Sequence, residues 1–130
     1  MFGEESILGR NELTVDKKGR IFIPADTKRE QGESLALVYN KDLETYEIYS
    51  SNKFSEILDT LNNKILNATS KQEKIYYQKE LCEISKTILK CSKVDAQGRF
   101  LTGKVFEGQE KVLSIGCHDH LIIEKLKNKK

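Results

Sequence analysis

Cysteine is scarce in this sequence, and tryptophan is absent. The 130 residues contain one proline and three cysteines, namely Cys82, Cys91 and Cys117. An odd number of cysteines without a Cys-x-x-Cys spacing argues against both a disulfide framework and a zinc site. We therefore expect three buried, reduced thiols, no metal site and no bound cofactor.

The sequence also lacks a long hydrophobic run. No apolar segment approaches the roughly 20 residues that a helix needs to cross a membrane, so we expect no membrane segment. The chain begins Met1-Phe2-Gly3-Glu4-Glu5, without the basic and apolar regions of a signal peptide. These two features predict a cytoplasmic protein.

A large excess of charge of one sign is missing as well. The formal net charge is only +2, from 22 basic and 20 acidic residues. The charges are unevenly distributed, because residues 10–29 contain six basic and three acidic side chains. Local basic patches on a nearly neutral protein are typical of surfaces that bind phosphate groups.

One short sequence occurs twice in the chain. The segment Val15-Asp16-Lys17-Lys18-Gly19-Arg20-Ile21 returns as Val94-Asp95-Ala96-Gln97-Gly98-Arg99-Phe100. The two Asp-x-x-Gly-Arg motifs are 79 positions apart, since 95 − 16 = 79, and further β-prone runs follow each copy. A duplicated turn with duplicated strands predicts a duplicated fold unit. At this length we expect two pseudo-repeats that share one core.

Each copy of the motif is predicted to form the turn of a β-hairpin. The glycine can adopt positive φ, and the aspartate can accept hydrogen bonds from backbone N–H groups two or three residues later. We therefore assign a structural role in the turns to Asp16, Gly19, Asp95 and Gly98. The arginine that ends each motif either closes the turn as an Asp–Arg ion pair or presents its guanidinium group to an anionic surface.

The segment between the two copies is predicted to be a pair of helices. Apolar residues between positions 54 and 61 follow the spacing of an amphipathic helix, with Ser51 and Asn52 as candidate caps. A second helix begins with the capping-box pattern of Ser70 and Glu73, and its apolar face continues to about Leu89.

These features together resemble the bacterial MraZ family, within the AbrB-like swapped-hairpin superfamily. The resemblance extends from Phe2 to about Lys125, and it includes Ile23-Pro24 after the first motif and the segment Gly116–Ile123. It implies an α+β fold in which two pseudo-symmetric swapped-hairpin repeats form one barrel, with the helical pair between them. The implied units are residues 7–53 (first repeat), 54–91 (helical pair), 92–125 (second repeat) and 126–130 (basic tail).

The same resemblance implies a DNA-binding transcriptional regulator and not an enzyme. Members of this family form rings whose loops face double-stranded DNA that contains short repeated boxes, in the division and cell-wall gene cluster or at their own promoter. This implies a ring-forming homo-oligomer that is cytoplasmic, associated with the nucleoid and independent of membranes. The residues carried over as DNA contacts are Lys17, Lys18, Arg20 and Arg99.

The second copy of the motif departs from the family pattern. After its turn the chain reads Leu101-Thr102-Gly103 where an Ile-Pro pair is expected, and the turn itself holds Ala96-Gln97 in place of two lysines. We therefore expect the first turn to supply most of the DNA affinity. The second turn, with Asp95 and Arg99, is expected to be mainly architectural.

The alternative function is that of an AbrB-like antitoxin, or of a ring-forming scaffold that binds an acidic protein without specific DNA binding. Tyr76 and Tyr77 lie in a basic stretch, but tyrosines beside a helix core are expected to pack or to make oligomer contacts. Stacking on bases is typical of sheets and open grooves instead.

Two enzymatic interpretations are disfavoured. The two aspartates could suggest an aspartic-protease pair, but such a pair needs a raised carboxyl pKa, which a neighbouring arginine opposes. The segment Cys117-His118-Asp119-His120 holds residue types that bind zinc or form a nucleophile pair. Its position instead predicts a turn between the last two strands.

Overall fold

The computed structural model describes residues 2–3 and 6–126. Four strands precede a pair of helices and four strands follow it, and the α+β class is confirmed. The elements are β1 (Arg10–Thr14), β2 (Arg20–Phe22), a 3-10 turn (Ala25–Thr27), β3 (Ser34–Asn40), β4 (Thr45–Ser50), α1 (Ser51–Leu66), α2 (Lys71–Lys86), β5 (Ile88–Lys93), β6 (Arg99–Leu101), β7 (Lys111–Cys117) and β8 (His120–Lys125).

The described strands form two sheets, and every pair within them is antiparallel. The larger sheet has the order β1-β7-β8-β4-β3-β5, and the smaller one consists of β2 and β6. The larger sheet is open, because β1 and β5 lie at its edges. The strand pairing therefore does not show the closed barrel that the resemblance implies.

The two repeats exchange strands with each other. The first strand of the first repeat, β1, pairs with β7, and the corresponding strand of the second repeat, β5, pairs with β3. The prediction of a local two-stranded hairpin is thus correct only for the turn itself, where an isolated bridge joins Val15 to Ile21. Beyond the turn the flanking runs separate, because each finds its ladder partner in the other repeat.

The smaller sheet joins the repeats at their centre. Ile21 pairs with Phe100, and both side chains are completely buried. They belong to a single core to which both repeats contribute, including Val94, Leu35 and Val112. The expectation that the pseudo-repeats share one core is confirmed.

Further hydrogen bonds connect each turn to the other repeat. The Ile23 N–H donates to the carbonyl of Gly98 at 2.9 Å, and the Thr102 N–H donates to the carbonyl of Gly19 at 2.8 Å. Thr102 is completely buried, and its hydroxyl also donates to the Gly19 carbonyl at 2.5 Å. The departure of the second copy from Ile-Pro therefore has a structural consequence, because Thr102 adds a hydrogen bond that isoleucine cannot make.

The helical pair differs from the prediction at both of its ends. Helix α1 already begins at Ser51, so Ser51 and Asn52 lie within the helix and do not cap it. The capping prediction for α2 is confirmed, since the Ser70 hydroxyl accepts a hydrogen bond from the Glu73 N–H at 3.1 Å. The continuation of its apolar face to Leu89 is wrong, because α2 ends at Lys86 and Leu89 belongs to β5.

The helices pack mainly against each other. Within α1 the buried residues are Phe54 and Leu61, and α2 has none. The unit boundaries implied at 53/54 and 91/92 fall inside α1 and β5, and the division into units stays a prediction. None of the described helices is both long enough and apolar enough to cross a membrane.

The expectation of buried thiols is wrong. Cys82, Cys91 and Cys117 are all free and exposed. Cys82 lies on α2, which buries no residue, and Cys91 lies on the exposed side of the edge strand β5. The part of the implied basic tail beyond Leu126 lies outside the described residues.

The hydroxyl of Thr102 gives a first prediction. Thr102→Val keeps the volume of the side chain but removes its hydrogen bond to Gly19, so the free energy of unfolding should fall by about 0.5–1.5 kcal/mol. Urea unfolding measures this change. The matched control is Thr60→Val on the exposed side of α1, where removal of the bond to Glu56 should change stability by less than about 0.5 kcal/mol. Equal midpoints for the two variants would contradict the prediction.

Candidate nucleic-acid interface

The first turn is organised around the carboxylate of Asp16. Its Oδ1 accepts hydrogen bonds from the N–H of Lys18 at 2.9 Å and of Arg20 at 2.8 Å. Its Oδ2 accepts a bond from Nε of Arg20 at 2.7 Å. Gly19 has φ 82°, and a Cβ at this position would overlap the carbonyl oxygen of Gly103. Glycine is therefore required here both by the backbone conformation and by the space available.

The second turn repeats this arrangement. Asp95 accepts bonds from the N–H of Gln97 at 2.9 Å and of Arg99 at 2.8 Å, and from Nε of Arg99 at 2.8 Å. Gly98 has φ 80°. The sequence repeat is thus also a repeat of hydrogen-bond geometry, with the Asp–Arg ion pair present in both copies.

These hydrogen bonds change the acidity of the two carboxyl groups. The pKa of Asp16 is lowered, first by the bond from the backbone N–H of Arg20 and further by the Arg20 side chain, although desolvation acts in the opposite direction. The pKa of Asp95 is lowered for the same reasons by Arg99. Lowered pKa values are the reverse of what an aspartic-protease pair requires.

Each ion pair orients its arginine without covering it. Nε is bonded to the aspartate, and the side chains of Arg20 and Arg99 remain 27% and 21% exposed. The bond to the aspartate uses Nε in both copies and does not use the terminal amino groups. A guanidinium held at Nε is already oriented for a bidentate contact with a phosphate or a guanine edge.

The two arginines lie on the same face of the small sheet. In the β2–β6 ladder Arg20 pairs with Leu101 and Arg99 pairs with Phe22. Side chains alternate between the faces of a sheet. Since the intervening pair of Ile21 and Phe100 faces the core, both arginines point outward. They stand at opposite ends of the ribbon, about 7 Å apart along the strand direction.

The two turns differ in the charge at their tips. Lys17 and Lys18 are both exposed. The corresponding residues of the second turn, Ala96 and Gln97, are exposed but uncharged. All four residues predicted to contact DNA therefore lie at the two turns, with three at the first and one at the second.

A comparison with protein families identifies the chain. A family model described as "MraZ protein, putative antitoxin-like" matches residues 7–75, which is more than half of the sequence. The chain belongs to the MraZ family. The resemblance seen in the sequence is thereby confirmed, and membership fits a regulator-like role. No curated protein matches the chain.

The family match includes the first turn of this MraZ-family chain but ends before the second. The equivalence of the two turns therefore rests on their geometry, which agrees bond for bond. The match also includes α1 and the first five residues of α2.

The sequence interpretation missed Arg29. The guanidinium of Arg29 lies against Gly98 in the second turn, although the residue belongs to the first repeat. The position 79 residues later is Gly108, so the repeat itself gives no reason to select Arg29. Only the exchange of strands between the repeats brings this residue to the second motif.

The segment Cys117-His118-Asp119-His120 forms the turn between β7 and β8, as predicted, with Cys117 paired to His120. The ring of His120 shares a hydrogen bond with Asp119 at 2.9 Å and stacks on the ring of Tyr49 with the centroids 4.4 Å apart. Among the described residues there is no group of three His, Cys, Asp or Glu side chains that could hold a metal ion.

Tyr76 and Tyr77 lie away from both turns, on α2. Their rings meet edge to face with centroids 5.4 Å apart, and the amino group of Lys64 lies 5.4 Å from the centroid of Tyr77. The ring of Tyr76 remains largely exposed. The contact of Lys64 with Tyr77 joins α1 to α2.

The lowered carboxyl pKa values give a second prediction. Their ordinary value is 3.8, and the folded values are lower. The two carboxylates therefore stabilise the protein above about pH 4, and this contribution disappears as the pH falls through the folded pKa values. The double variant Asp16→Asn/Asp95→Asn should melt at a lower temperature than the unmodified protein at pH 7, and the difference should become smaller as the pH falls below 3.8.

Thermal unfolding between pH 3 and pH 7 measures this effect. The control is Asp59→Asn, an exposed aspartate on α1, which should leave the pH profile of the melting temperature unchanged. A difference between the double variant and the unmodified protein that stayed constant over this range would contradict the prediction.

Proposed function

We propose that this chain is a sequence-specific, DNA-binding transcriptional regulator whose two Asp-x-x-Gly-Arg turns contact double-stranded DNA. The observation that carries the proposal is the shared outward face of Arg20 and Arg99, each held at Nε by an aspartate. Two guanidinium groups oriented in the same way at the ends of one ribbon match a ligand with regularly spaced negative charges. Double-stranded DNA is such a ligand.

The residues divide into two kinds of contact. The ion pairs of Arg20 and Arg99 use Nε, so their terminal amino groups suit bidentate contacts with a guanine edge or a phosphate. Lys17 and Lys18 are exposed at the tip of the first turn, where flexible amino groups suit phosphate contacts that carry no sequence information. The major groove can admit a two-stranded ribbon of the size of β2–β6.

The proposed active form is a ring of subunits. The larger sheet leaves β1 and β5 at open edges, and open edges favour association with another copy. A ring would present the turns of neighbouring subunits to repeated boxes in a promoter, either its own or that of the division and cell-wall cluster. The swapped-hairpin barrel belongs to this proposal and is supported by the strand exchange of β1 and β5 between the repeats.

The alternative is an antitoxin, or a ring-forming scaffold that binds an acidic protein. The family description as antitoxin-like favours this alternative. In both cases the basic turns would bind carboxylates of a protein partner, and specific DNA binding would be absent. A binding titration with the DNA upstream of the gene, beside scrambled DNA of equal composition, distinguishes the two functions.

Arg20 and Lys18 give a third prediction. Arg20→Ala should weaken binding to the upstream DNA by about 1–3 kcal/mol, or roughly 5–150-fold, for each base contact that it removes. Lys18→Ala should weaken binding to all sequences alike and reduce the slope of log K against log salt by about one for each phosphate contact that it removes. Fluorescence anisotropy with upstream and scrambled DNA at several salt concentrations separates the two effects.

The control for this experiment is Lys71→Ala on α2, which is exposed and outside the turns. It should not alter the affinity by more than about twofold. Arg99→Ala tests the second turn and should lower the melting temperature or disturb the assembly more than it lowers affinity. If Arg20→Ala folds, assembles and binds upstream DNA like the unmodified protein, DNA contact by this residue is refuted.

A fourth prediction concerns assembly. Light scattering of the unmodified protein at micromolar concentration should give a mass several times that of one chain and larger than that of a dimer. A mass equal to that of one chain would refute the ring. The titration would then show whether the single chain binds DNA.

A further inference from the structure

Two apolar side chains are exposed on the outer face of the small sheet. In the β2–β6 ladder Phe22 pairs with Arg99, and Leu101 pairs with Arg20. Phe22 is 46% exposed and Leu101 is 36% exposed, whereas the residue pair between them is completely buried. The outer face of the ribbon therefore consists of two arginines and two apolar residues, with like residues at diagonal positions.

Phe22 and Leu101 occupy equivalent positions in the two repeats. They are 79 residues apart, since 101 − 22 = 79, and this is also the separation of the two Asp-x-x-Gly-Arg motifs. The turn tips differ, with two lysines at the first and alanine with glutamine at the second, but an apolar residue stands two positions after the arginine in both copies. A single exposed apolar residue is common on protein surfaces. Here two of them lie beside two arginines at matching positions and form one continuous surface.

A ligand that contacts both arginines must also lie against these apolar side chains. Residues opposite each other on a ribbon have Cβ atoms about 5 Å apart, and residues two positions apart along a strand are separated by about 7 Å. The phosphate groups of DNA offer no apolar contact at such distances. In the major groove the 5-methyl group of thymine does, and phenylalanine is among the residue types that contact it.

The minor groove has no such group, because the edges of A·T and T·A pairs present only hydrogen-bond acceptors there. Guanine presents two acceptors to an arginine in the major groove, where thymine also presents its methyl group. A face that combines guanidinium groups with apolar side chains is therefore complementary to base edges of the major groove.

We infer that Phe22 and Leu101 contact thymine methyl groups in the major groove and so contribute to the choice of DNA sequence. This inference rests on the proposed function and adds to it the kind of base that the apolar residues select. Neighbouring base pairs are about 3.4 Å apart, so the roughly 5–7 Å between an arginine and an apolar neighbour corresponds to one or two base-pair steps. The preferred DNA should contain thymine within about two base pairs of each guanine that Arg20 or Arg99 binds.

The test removes the methyl groups from the DNA and leaves the protein unchanged. Upstream DNA is prepared with deoxyuridine in place of thymidine, which keeps the hydrogen-bonding groups of the base edges. Burial of one methyl group corresponds to roughly a fourfold change in an equilibrium constant, so the affinity should fall about fourfold for each contacted methyl. The slope of log K against log salt should stay the same, because no phosphate contact is lost. Fluorescence anisotropy measures both quantities.

Phe22→Ser and Leu101→Ser identify the residues that make the contact. Each variant should bind thymidine DNA less tightly and distinguish it less well from deoxyuridine DNA, and the double variant should bind the two duplexes equally. Both side chains lie outside the hydrophobic core, so we expect the variants to fold. Leu43→Ser is the matched control, because Leu43 is a 63% exposed leucine between β3 and β4, and it should keep the full discrimination.

Three results would overturn the inference. The first is equal affinity of the unmodified protein for thymidine and deoxyuridine DNA. The second is an equal loss of affinity for scrambled DNA, which would assign the effect to the flexibility of the duplex and not to a specific contact. The third is undiminished discrimination by the double variant, and a smaller mass of that variant in light scattering would then assign the apolar pair to a contact between copies of the chain.

The proposed function and this inference fail in different ways. If the unmodified protein prefers upstream to scrambled DNA but does not distinguish thymidine from deoxyuridine, sequence-specific binding stands and the methyl contact is refuted. If the unmodified protein binds neither upstream nor scrambled DNA at low salt, the proposed function itself is refuted, and the inference is refuted with it.

Discussion

The carbonyl groups of Gly19 and Gly98 are the acceptors on which the arrangement of this protein depends. Each lies in the turn of one repeat and accepts a hydrogen bond from a strand end of the other, from Thr102 and Ile23 respectively. Since both glycines have positive φ, the turns can place these carbonyls where the opposite strand ends. These two hydrogen bonds between the repeats accompany three other contacts between them. The contacts are the pairing of β2 with β6, the burial of Ile21 against Phe100 and the exchange of β1 and β5. Neither repeat could bury its apolar residues alone, because each completes the sheet of the other.

The same turns combine a structural and an electrostatic role in a single pair of side chains. The aspartate accepts two backbone N–H groups through one oxygen and orients its arginine through the other. An exposed ion pair of this kind contributes little stability by itself. Its effect is to restrict a long side chain to one direction, which lowers the entropic cost of a later contact. A structural and a functional role for these arginines are therefore compatible, since the ion pair uses Nε and both side chains remain partly exposed.

The pseudo-symmetry is closer in the backbone than in the side chains. Hydrogen bonds repeat from one turn to the other, whereas lysines at the first are replaced by alanine and glutamine at the second. The exchange of strands permits such divergence, because a side chain from either repeat can reach a given turn. Arg29 is an instance of this freedom, and Thr102 is another, with a hydroxyl that compensates for the missing Ile-Pro pair. The charged side chains at a turn therefore include those that lie near it in the structure, and not only those of its own sequence segment.

Features that depend on local contacts could be predicted from the sequence. These features follow from residues that lie a few positions apart or from a pattern within one segment. They are the positions of the two turns, the cap formed by Ser70, the tight connection at Cys117–His120 and membership of the MraZ family. Strand pairing could not be predicted in this way, because an apolar run carries no information about the repeat in which its partner strand lies. Three further features also depend on contacts between distant residues and could not be predicted from the sequence. They are the end of α2, the exposure of the three thiols and the position of Arg29. Ile88 and Leu89 fit the period of a helix but belong to an edge strand. The three cysteines are exposed within the chain. Arg29 reaches Gly98 through contacts between residues 69 positions apart, since 98 − 29 = 69, and such contacts exist only once the two repeats have folded together.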